Sequence, residues 1–247
     1  MRFLILSDIH ANIDALDAVL AAAPAGTWDR AVVLGDLVGY GAEPNAVIDR
    51  VRALDPLATI RGNHDKAACG LDDGSSFNQV ARFAATWTGE TLTHDNREYL
   101  RALPHGPLRL SDDILICHGA PFDEDHYIFD GDDASQALEA TTEPVCFFGH
   151  THLPVVFVRS ALTLGYIVPD DDDARGMALA AGARYLVNPG SVGQPRDGDP
   201  RAAFAIFDGD TRVLQARRIG YPVEVAQRRI LSAGLPASLA NRLAIGR

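Results

Sequence analysis

Five short apolar runs along the chain each lead into a polar residue that can bind a metal ion. Runs of this kind, bounded by turn residues, predict buried strands. In open α/β sheets, ligands gather at the carboxyl ends of the strands. The pattern therefore predicts one rim that collects Asp, Asn and His side chains. The runs are residues 3–6, 31–34, 58–61, 114–117 and 145–148.

The apolar spacing between these runs predicts helices. One helix is expected from about Ile13, capped by Asn12, and a second over about residues 44–54. Residues 76–103 are also predicted to be helical, with a break at Pro104. The alternation of strand and helix in this half is typical of a parallel sheet.

From Leu108 onward the pattern predicts mostly strands. A helical tail follows from Pro222 to Leu243, interrupted around Gly234. Because no Ser/Gly/Pro-rich linker divides the 247 residues, we predict one domain over 1–247, with the tail at about 222–247. The expected strands are 108–117, 145–148, 155–159, 184–187, 201–207 and 211–219.

Composition bears on whether the protein associates with a membrane, on its compartment and on a calcium-binding loop. No run approaches the ~20 consecutive apolar residues that cross a bilayer, so we expect no membrane partner. Three cysteines without metal-type spacing predict buried free thiols in a reducing compartment, which favours a cytoplasmic protein. The acidic run at 170–173 predicts a solvated turn rather than a calcium loop, because the alternating ligand positions of such a loop are missing.

The net charge of −11 bears on partners. Phosphate backbones are bound by clustered Lys and Arg, and the sequence contains no such cluster. Extended binding to nucleic acid is therefore not expected. The sequence leaves the oligomeric state open, and a homo-oligomer is one of the alternatives.

The polar residues at the strand ends form a plausible ligand set. In an extended segment, side chains two residues apart share a face, so Asp8 with His10, and His150 with His152, can each present two groups to one side. Carboxylate, imidazole and amide ligands suit Mn, Fe, Zn or Ni, and the ligand types alone do not choose among these metals; Mn²⁺ is our first expectation. Seven ligands are too many for one tetrahedral ion and suit two divalent ions that share a carboxylate. The candidates are Asp8, His10, Asp36, Asn63, His118, His150 and His152.

The order of these motifs resembles the calcineurin-like metallophosphoesterase superfamily, and most closely its small, stand-alone prokaryotic phosphoesterases. The resemblance covers essentially the whole chain. It implies an α/β fold, a four-layer α/β/β/α sandwich of two mixed sheets flanked by helices. The motifs that carry it are Asp8-x-His10, Gly35-Asp36, Gly62-Asn63-His64-Asp65, His118 and Gly149-His150-Thr151-His152.

The resemblance also implies a role for each ligand. Asp36 would bridge two ions, and His64 would face the leaving group without binding metal. A hydroxide held between the ions would attack phosphorus while His64 protonates or hydrogen-bonds the departing oxygen. The implied ligands are Asp8, His10, Asp36 and His152 for one ion, and Asp36, Asn63, His118 and His150 for the other.

Four positions bear on the substrate. The protein-phosphatase branch of the family has Asp and Arg where this chain has Gly39 and Tyr40, which disfavours phosphoproteins and leaves open what steadies His64. Asn12 is a helix cap that could also touch substrate. Arg196 could bind a substrate phosphate, since guanidinium matches phosphate geometry, or could form a surface ion pair.

The sequence thus predicts a binuclear metal-dependent phosphoesterase that hydrolyses phosphodiester or phosphomonoester bonds of a small-molecule phosphate ester. A nuclease or a protein phosphatase could use the same site, and a non-catalytic scaffold could use the same fold. The acidic charge argues against the nuclease, and the complete ligand set argues against the scaffold. His94, His105 and His126 lie outside the motifs and are expected to be surface histidines or histidines with satisfied hydrogen bonds, not catalytic ones.

Overall fold

The fold is described from a computed structural model, which covers residues 1–161, 163–171 and 175–247. Its strands and helices are numbered in chain order. The strands are β1 (Arg2–Leu6), β2 (Arg30–Val33), β3 (Ala58–Thr59), β4 (Leu108–Arg109), β5 (Ile114–Ile116), β6 (Val145–Phe147), β7 (Val155–Ser160), β8 (Thr163–Ile167), β9 (Met177–Ala178), β10 (Arg184–Asn188), β11 (Ala202–Asp208) and β12 (Val213–Ile219). The helices are α1 (Ile13–Ala22), α2 (Pro44–Ala53), α3 (Asn63–Cys69), α4 (Gln79–Thr91), α5 (His94–Ala102), α6 (Gly131–Glu139), α7 (Val223–Ser232) and α8 (Ala237–Leu243).

The strands form two mixed six-stranded sheets. The first has the order β3-β2-β1-β11-β12-β9, and the second has the order β4-β5-β6-β10-β7-β8. Strands β1, β2 and β3 pair in parallel, as do β5, β6 and β10. Each sheet therefore has one edge where the carboxyl ends of several strands lie side by side.

Strand β1 shows how the layers are stacked. Its side chains alternate between two faces: Phe3 and Ile5 enter the core between the two sheets, whereas Leu4 and Leu6 pack with α1 and α2. Burial on both faces explains why the run is apolar without interruption. Helix α6 covers the outer face of the second sheet. The predicted four-layer α/β/β/α sandwich is confirmed.

The tail packs back onto the body of the protein. Helices α7 and α8 form a cluster with α4 and Tyr40, through side chains such as Ile230, Leu239 and Leu243. The main-chain N–H of Gly198 donates to the oxygen of Gly246 at 2.9 Å. The predicted interruption of the tail is confirmed, since Gly234 to Pro236 separate the two helices.

Several element boundaries differ from the predictions. The helical stretch 76–103 is two helices, because the Thr93 side chain caps α5 by accepting from the N–H of Asn96. The predicted strand 108–117 is an antiparallel pair, β4 and β5. Helices α3 and α6 and strands β8 and β9 were not predicted. Helix α6 begins where Asp130 accepts from the N–H groups of Asp132 and Asp133.

The three cysteines are buried and free, as predicted. No described helix is long and apolar enough to cross a membrane. Of the predicted acidic turn, Asp172 and Asp173 lie outside the described residues.

Candidate metal centre

The structure brings the seven predicted ligands together at the carboxyl ends of five strands. Asp8 and His10 follow β1, Asp36 follows β2, and Asn63 begins α3 just after β3. His118 follows β5, and the two histidines of the Gly-His-x-His motif follow β6. The strands are parallel neighbours within each sheet, so their ends converge on one rim, which we call the metal rim. It consists of Asp8, His10, Asp36, Asn63, His118, His150 and His152.

Five of the seven ligands adopt a left-handed backbone conformation. Such a φ is uncommon for residues other than glycine and costs of order 1–3 kcal/mol at each position. The chain bends sharply directly after each strand, and the ligand side chain turns toward the centre. The residues are Asp8 (φ 53°), His10 (49°), Asp36 (51°), His150 (67°) and His152 (62°).

The first ligand group combines two carboxylates with two imidazoles. The ligand atoms of Asp8, His10, Asp36 and His152 lie within 4.8 Å of one another, and all four residues are buried. His10 Nε2 lies 3.1 Å from His152 Nε2 and 3.6 Å from Asp36 Oδ2. His152 Nε2 lies 3.4 Å from Asp8 Oδ1. This spacing suits one divalent ion at the middle of the group.

The second ligand group shares Asp36 with the first. Ligand atoms of Asp36, His118 and His150 lie within 4.8 Å of one another. His118 Nε2 lies 3.5 Å from Asp36 Oδ2 and 3.3 Å from the amide oxygen of Asn63. A single carboxylate oxygen of Asp36 therefore lies between His10 of the first group and His118 of the second.

Hydrogen bonds fix which ring nitrogen faces the centre. The Nδ1 atoms of His10, His118 and His152 lie 3.0, 2.8 and 2.6 Å from the carbonyl oxygens of Val38, Leu34 and Gln194. Since a carbonyl only accepts, each Nδ1 carries a proton, and Nε2 is the nitrogen that faces the centre. His150 is reversed, because its Nε2 donates to the Asp125 oxygen at 3.1 Å. Ring nitrogens and carboxylate oxygens that converge in this way fit divalent cations.

Burial and charge set the protonation of the rim. Burial lowers the pKa of His10, His150 and His152 well below the usual value, so these rings are neutral, the form that binds metal. Burial raises the pKa of Asp8 to about 6. Burial opposes charge on Asp36 and His118 as well, but their mutual attraction outweighs it. The pKa of His118 rises to about 10, and that of Asp36 falls well below the usual value.

His64 lies beside the rim and is held by rings. Its imidazole centroid lies 4.3 Å from that of Tyr40, 4.6 Å from that of Phe77 and 5.0 Å from that of His10. Its Nδ1 is buried with no hydrogen-bond partner among the described residues. A Cβ on Gly39 would lie 2.5 Å from that nitrogen. Aromatic packing therefore steadies His64, and the missing side chain at position 39 makes room for it.

Two acidic residues that the sequence analysis did not single out support the site. Asp65 is buried and accepts from the N–H groups of Val38 and Gly62, at 3.1 and 2.9 Å. It thereby joins the loop after β2 to the turn before α3. Asp125 presents its main-chain oxygen to His150, while its carboxylate accepts from Lys66 Nζ at 2.6 Å. In the sequence, the sign that Asp65 belongs to the site is its place as the fourth residue of the Gly-Asn-His-Asp motif.

Asn12 and Arg196, the two candidate substrate residues, lie in different surroundings. Asn12 caps α1 by accepting from the N–H of Ala15 at 3.1 Å, and it donates to the oxygen of Gly193 at 2.9 Å. Its amide is thus engaged within the fold, in the capping role. Arg196 instead lies at the metal rim, where its Nη2 is 3.2 Å from Gln194 Oε1 and 3.5 Å from the Tyr40 hydroxyl.

The remaining histidines lie outside the ligand groups. His94 and His105 are exposed, and His126 is partly exposed near Asp133. Tyr127 was not predicted to lie at the site, yet its ring stacks on His150 with centroids 3.8 Å apart. The exposed edge of Tyr127 borders the rim on the side of the second ligand group.

Comparison with known proteins identifies the relatives of this architecture. Residues 1–212 match the model of the calcineurin-like phosphoesterase superfamily domain. The chain is similar to an uncharacterized protein, MJ0912, of Methanocaldococcus jannaschii. The two are 33% identical over 255 residues, which span 98% of this chain and 97% of the relative.

Two solved structures resemble the fold along its whole length. A metallophosphoesterase from Sphaerobacter thermophilus is 40% identical, with a TM-score of 0.85 over 100% of this chain and 99% of that one. A hypothetical protein, PH1004, from Pyrococcus horikoshii OT3 is 21% identical, with a TM-score of 0.78 over 100% and 98% of the two chains. At that identity, the second likeness concerns the fold alone.

Proposed function

The chain belongs to the calcineurin-like phosphoesterase superfamily, and on that premise we propose that it is a binuclear metal-dependent hydrolase of small phosphate esters. The observation that carries the proposal is the position of Asp36. One carboxylate oxygen lies 3.6 Å from His10 Nε2 and 3.5 Å from His118 Nε2, and so belongs to both ligand groups. Two ions that share this carboxylate would each have three further protein ligands.

Divalent ions bound here would supply activated water and polarise the phosphoryl oxygens of the substrate. The chain's own contribution begins with orientation. Three backbone carbonyls hold the His10, His118 and His152 rings with Nε2 inward. Asp8 accepts from the N–H of His150, 3.2 Å away, which links the two ligand groups through the main chain. The ligands are therefore oriented before metal or substrate binds.

His64 would act on the leaving group. Burial lowers its pKa to about 4, so the ring is neutral at neutral pH. A neutral imidazole still carries one N–H, and it would donate that hydrogen to the departing oxygen as negative charge develops there. Contact with Tyr40 and Phe77 would keep the ring at the correct angle.

Arg196 would bind a phosphate oxygen of the substrate beside the metal rim. Its guanidinium lies at the rim near Gln194 and Tyr40, and guanidinium recognises phosphate through paired hydrogen bonds. Gly39 and Tyr40 replace the Asp and Arg of the protein-phosphatase branch, and the net charge is −11. Both features favour a small ester over a phosphoprotein or an extended nucleic acid.

The test is hydrolysis of bis(p-nitrophenyl) phosphate and of p-nitrophenyl phosphate before and after chelation. Chelation should abolish turnover of both esters. Mn²⁺ should restore it best, with Fe²⁺, Zn²⁺ and Ni²⁺ assayed in parallel. His94→Ala, which changes an exposed histidine outside the ligand groups, is the control and should behave as the wild type. Undiminished hydrolysis in fully chelated protein would refute the proposal.

A further inference from the structure

Two arginine side chains meet the same aromatic ring beside the metal rim. The Cζ atoms of Arg196 and Arg242 each lie 5.8 Å from the centroid of the Tyr40 ring. Arg196 comes from the loop after β10, and Arg242 comes from α8 in the tail. Contact between a guanidinium and an aromatic face is favourable, so Tyr40 gives both cations a common platform.

Tyr40 links this pair of arginines to the site of reaction. The residue is 7% exposed, and the centroid of its ring lies 4.7 Å from that of His10 and 4.3 Å from that of His64. The platform therefore contacts one metal-rim histidine and the histidine assigned to the leaving group. A ligand on the arginines would lie next to a phosphoryl group at the metal rim.

The positive charge of the pair is not balanced by acidic side chains. Within the described part of the chain, neither guanidinium forms an ion pair with an Asp or Glu carboxylate. Arg196 Nε is buried and has no hydrogen-bond partner among the same residues. Arg242 Nε donates to the main-chain oxygen of Arg247. Burial and the nearby charge of Arg196 lower the pKa of Arg242, yet arginine stays protonated in proteins.

Two neighbouring cations repel each other, and the fold nevertheless holds them together. Helix α8 is fixed by Leu239 and Leu243 in the cluster that contains Tyr40. The N–H of Gly198, two residues after Arg196, donates to the oxygen of Gly246 at 2.9 Å. The tail is thus anchored to the same loop that carries Arg196.

Arg242 also lies beyond residues 1–212, which match the superfamily model. The match therefore does not include this residue. Its contact with Tyr40 brings a charge from the tail to a site that is otherwise built by residues before position 197.

We propose that Arg196 and Arg242 form an anion subsite beside the metal rim, which binds a second phosphate of a substrate whose first phosphate reacts at the rim. This inference rests on the proposed function. It identifies the substrate class as phosphate esters that carry two phosphoryl groups, such as nucleoside diphosphates. Arg242 would be a specificity-determining residue, because a substrate with one phosphate would reach the rim without contacting it.

The first measurement is binding. Calorimetry on the Mn²⁺-loaded protein compares methylenediphosphonate, a diphosphate analogue that resists hydrolysis, with inorganic phosphate. The wild type should bind the diphosphonate at least tenfold more tightly. Arg242→Gln should lose about ten- to a hundredfold of that affinity, the range expected for a hydrogen bond to a charged group, and it should lose less affinity for phosphate. Arg228→Gln removes an equal charge from an exposed position of α7 and should change neither affinity.

The second measurement is selectivity. The ratio of kcat/KM for ADP to that for AMP should fall at least tenfold in Arg242→Gln and remain unchanged in Arg228→Gln. Arg242→Lys keeps the charge without the planar fork, so its ratio should be intermediate. This variant also serves if the Gln variant does not fold.

Two results would overturn the subsite. One is equal affinity of the wild type for the two anions, and the other is an Arg242→Gln variant that matches Arg228→Gln. If the loaded protein hydrolysed no phosphate ester at all, the proposed function would fail. The calorimetric comparison would still decide whether the arginines bind a second phosphate.

Discussion

Different interactions hold the metal rim and the group of side chains beside it, which we call the flank. At the rim, carbonyl oxygens fix three histidine rings through Nδ1. The flank, which comprises Tyr40, His64, Phe77, Arg196 and Arg242, is held mainly by ring packing and cation–π contacts. Hydrogen bonds are directional, as coordination geometry requires, whereas ring packing tolerates small shifts. Changes at the rim should therefore alter metal content, and changes on the flank should alter turnover with metal retained.

The largest effect expected on the flank follows removal of His64. His64→Ala should retain both ions and lose about 10²–10⁴-fold in kcat/KM. The loss should be larger for an alkyl phosphate than for a nitrophenyl ester, because nitrophenolate departs without a proton whereas an alkoxide does not. Metal analysis and kinetics on both esters test this expectation.

Two outcomes with His64→Ala would contradict the distinction between the rim and the flank. Equal losses on the two esters would indicate that His64 positions the phosphoryl group. Loss of an ion would make it a ligand and move it from the flank to the rim.

Two glycines offer a matched pair for the same comparison. A Cβ on Gly62 would lie 2.1 Å from Asp36 Oδ1, whereas a Cβ on Gly39 would lie 2.5 Å from His64 Nδ1. Gly62→Ala should therefore lower metal content. Gly39→Ala, at φ +88°, should keep both ions but displace His64, at a cost of about 10²-fold in kcat. Elemental analysis beside kcat separates the two, and similar metal loss in both variants would contradict the distinction.

Among these variants, the smallest effect on kcat is expected at Phe77. Phe77→Leu keeps an apolar side chain but removes the ring that packs 4.6 Å from His64. Aromatic pairs contribute about 0.5–1.5 kcal/mol beyond their buried area, so kcat should fall about two- to tenfold. His64→Ala/Phe77→Leu should be no slower than His64→Ala alone, since the ring would have nothing left to position. A further loss in the double variant would show that Phe77 acts through another route.

The rim could be predicted from sequence because each ligand follows directly after a strand. Asp8 and Asp36 follow parallel neighbours in one sheet, and His118 follows a strand of the other sheet. They meet because the two sheets pack face to face, and the apolar runs reveal the strands concerned. The left-handed turns were not visible in the pattern, because Asp and His replace the glycine that usually marks such a conformation. The four-layer fold came from the resemblance in motif order, and the structure confirms it.

The flank could not be predicted in the same way. Tyr40, Phe77 and Arg242 come from a loop, the turn before α4 and the tail, and tertiary packing alone brings them to His64 and Arg196. The predicted helical stretch 76–103 includes Phe77, whereas in the structure this residue precedes α4. Short helices such as α3 were missed because a few residues carry too little periodicity.

The central claim is that Asp36 serves two ions. Metal content of purified Asp36→Asn and His152→Ala, measured by elemental analysis after loading with Mn²⁺ and removal of free metal, tests it most directly. The claim predicts that Asp36→Asn lowers occupancy of both ions, whereas His152→Ala lowers occupancy of one only. Two full ions in Asp36→Asn would contradict the claim.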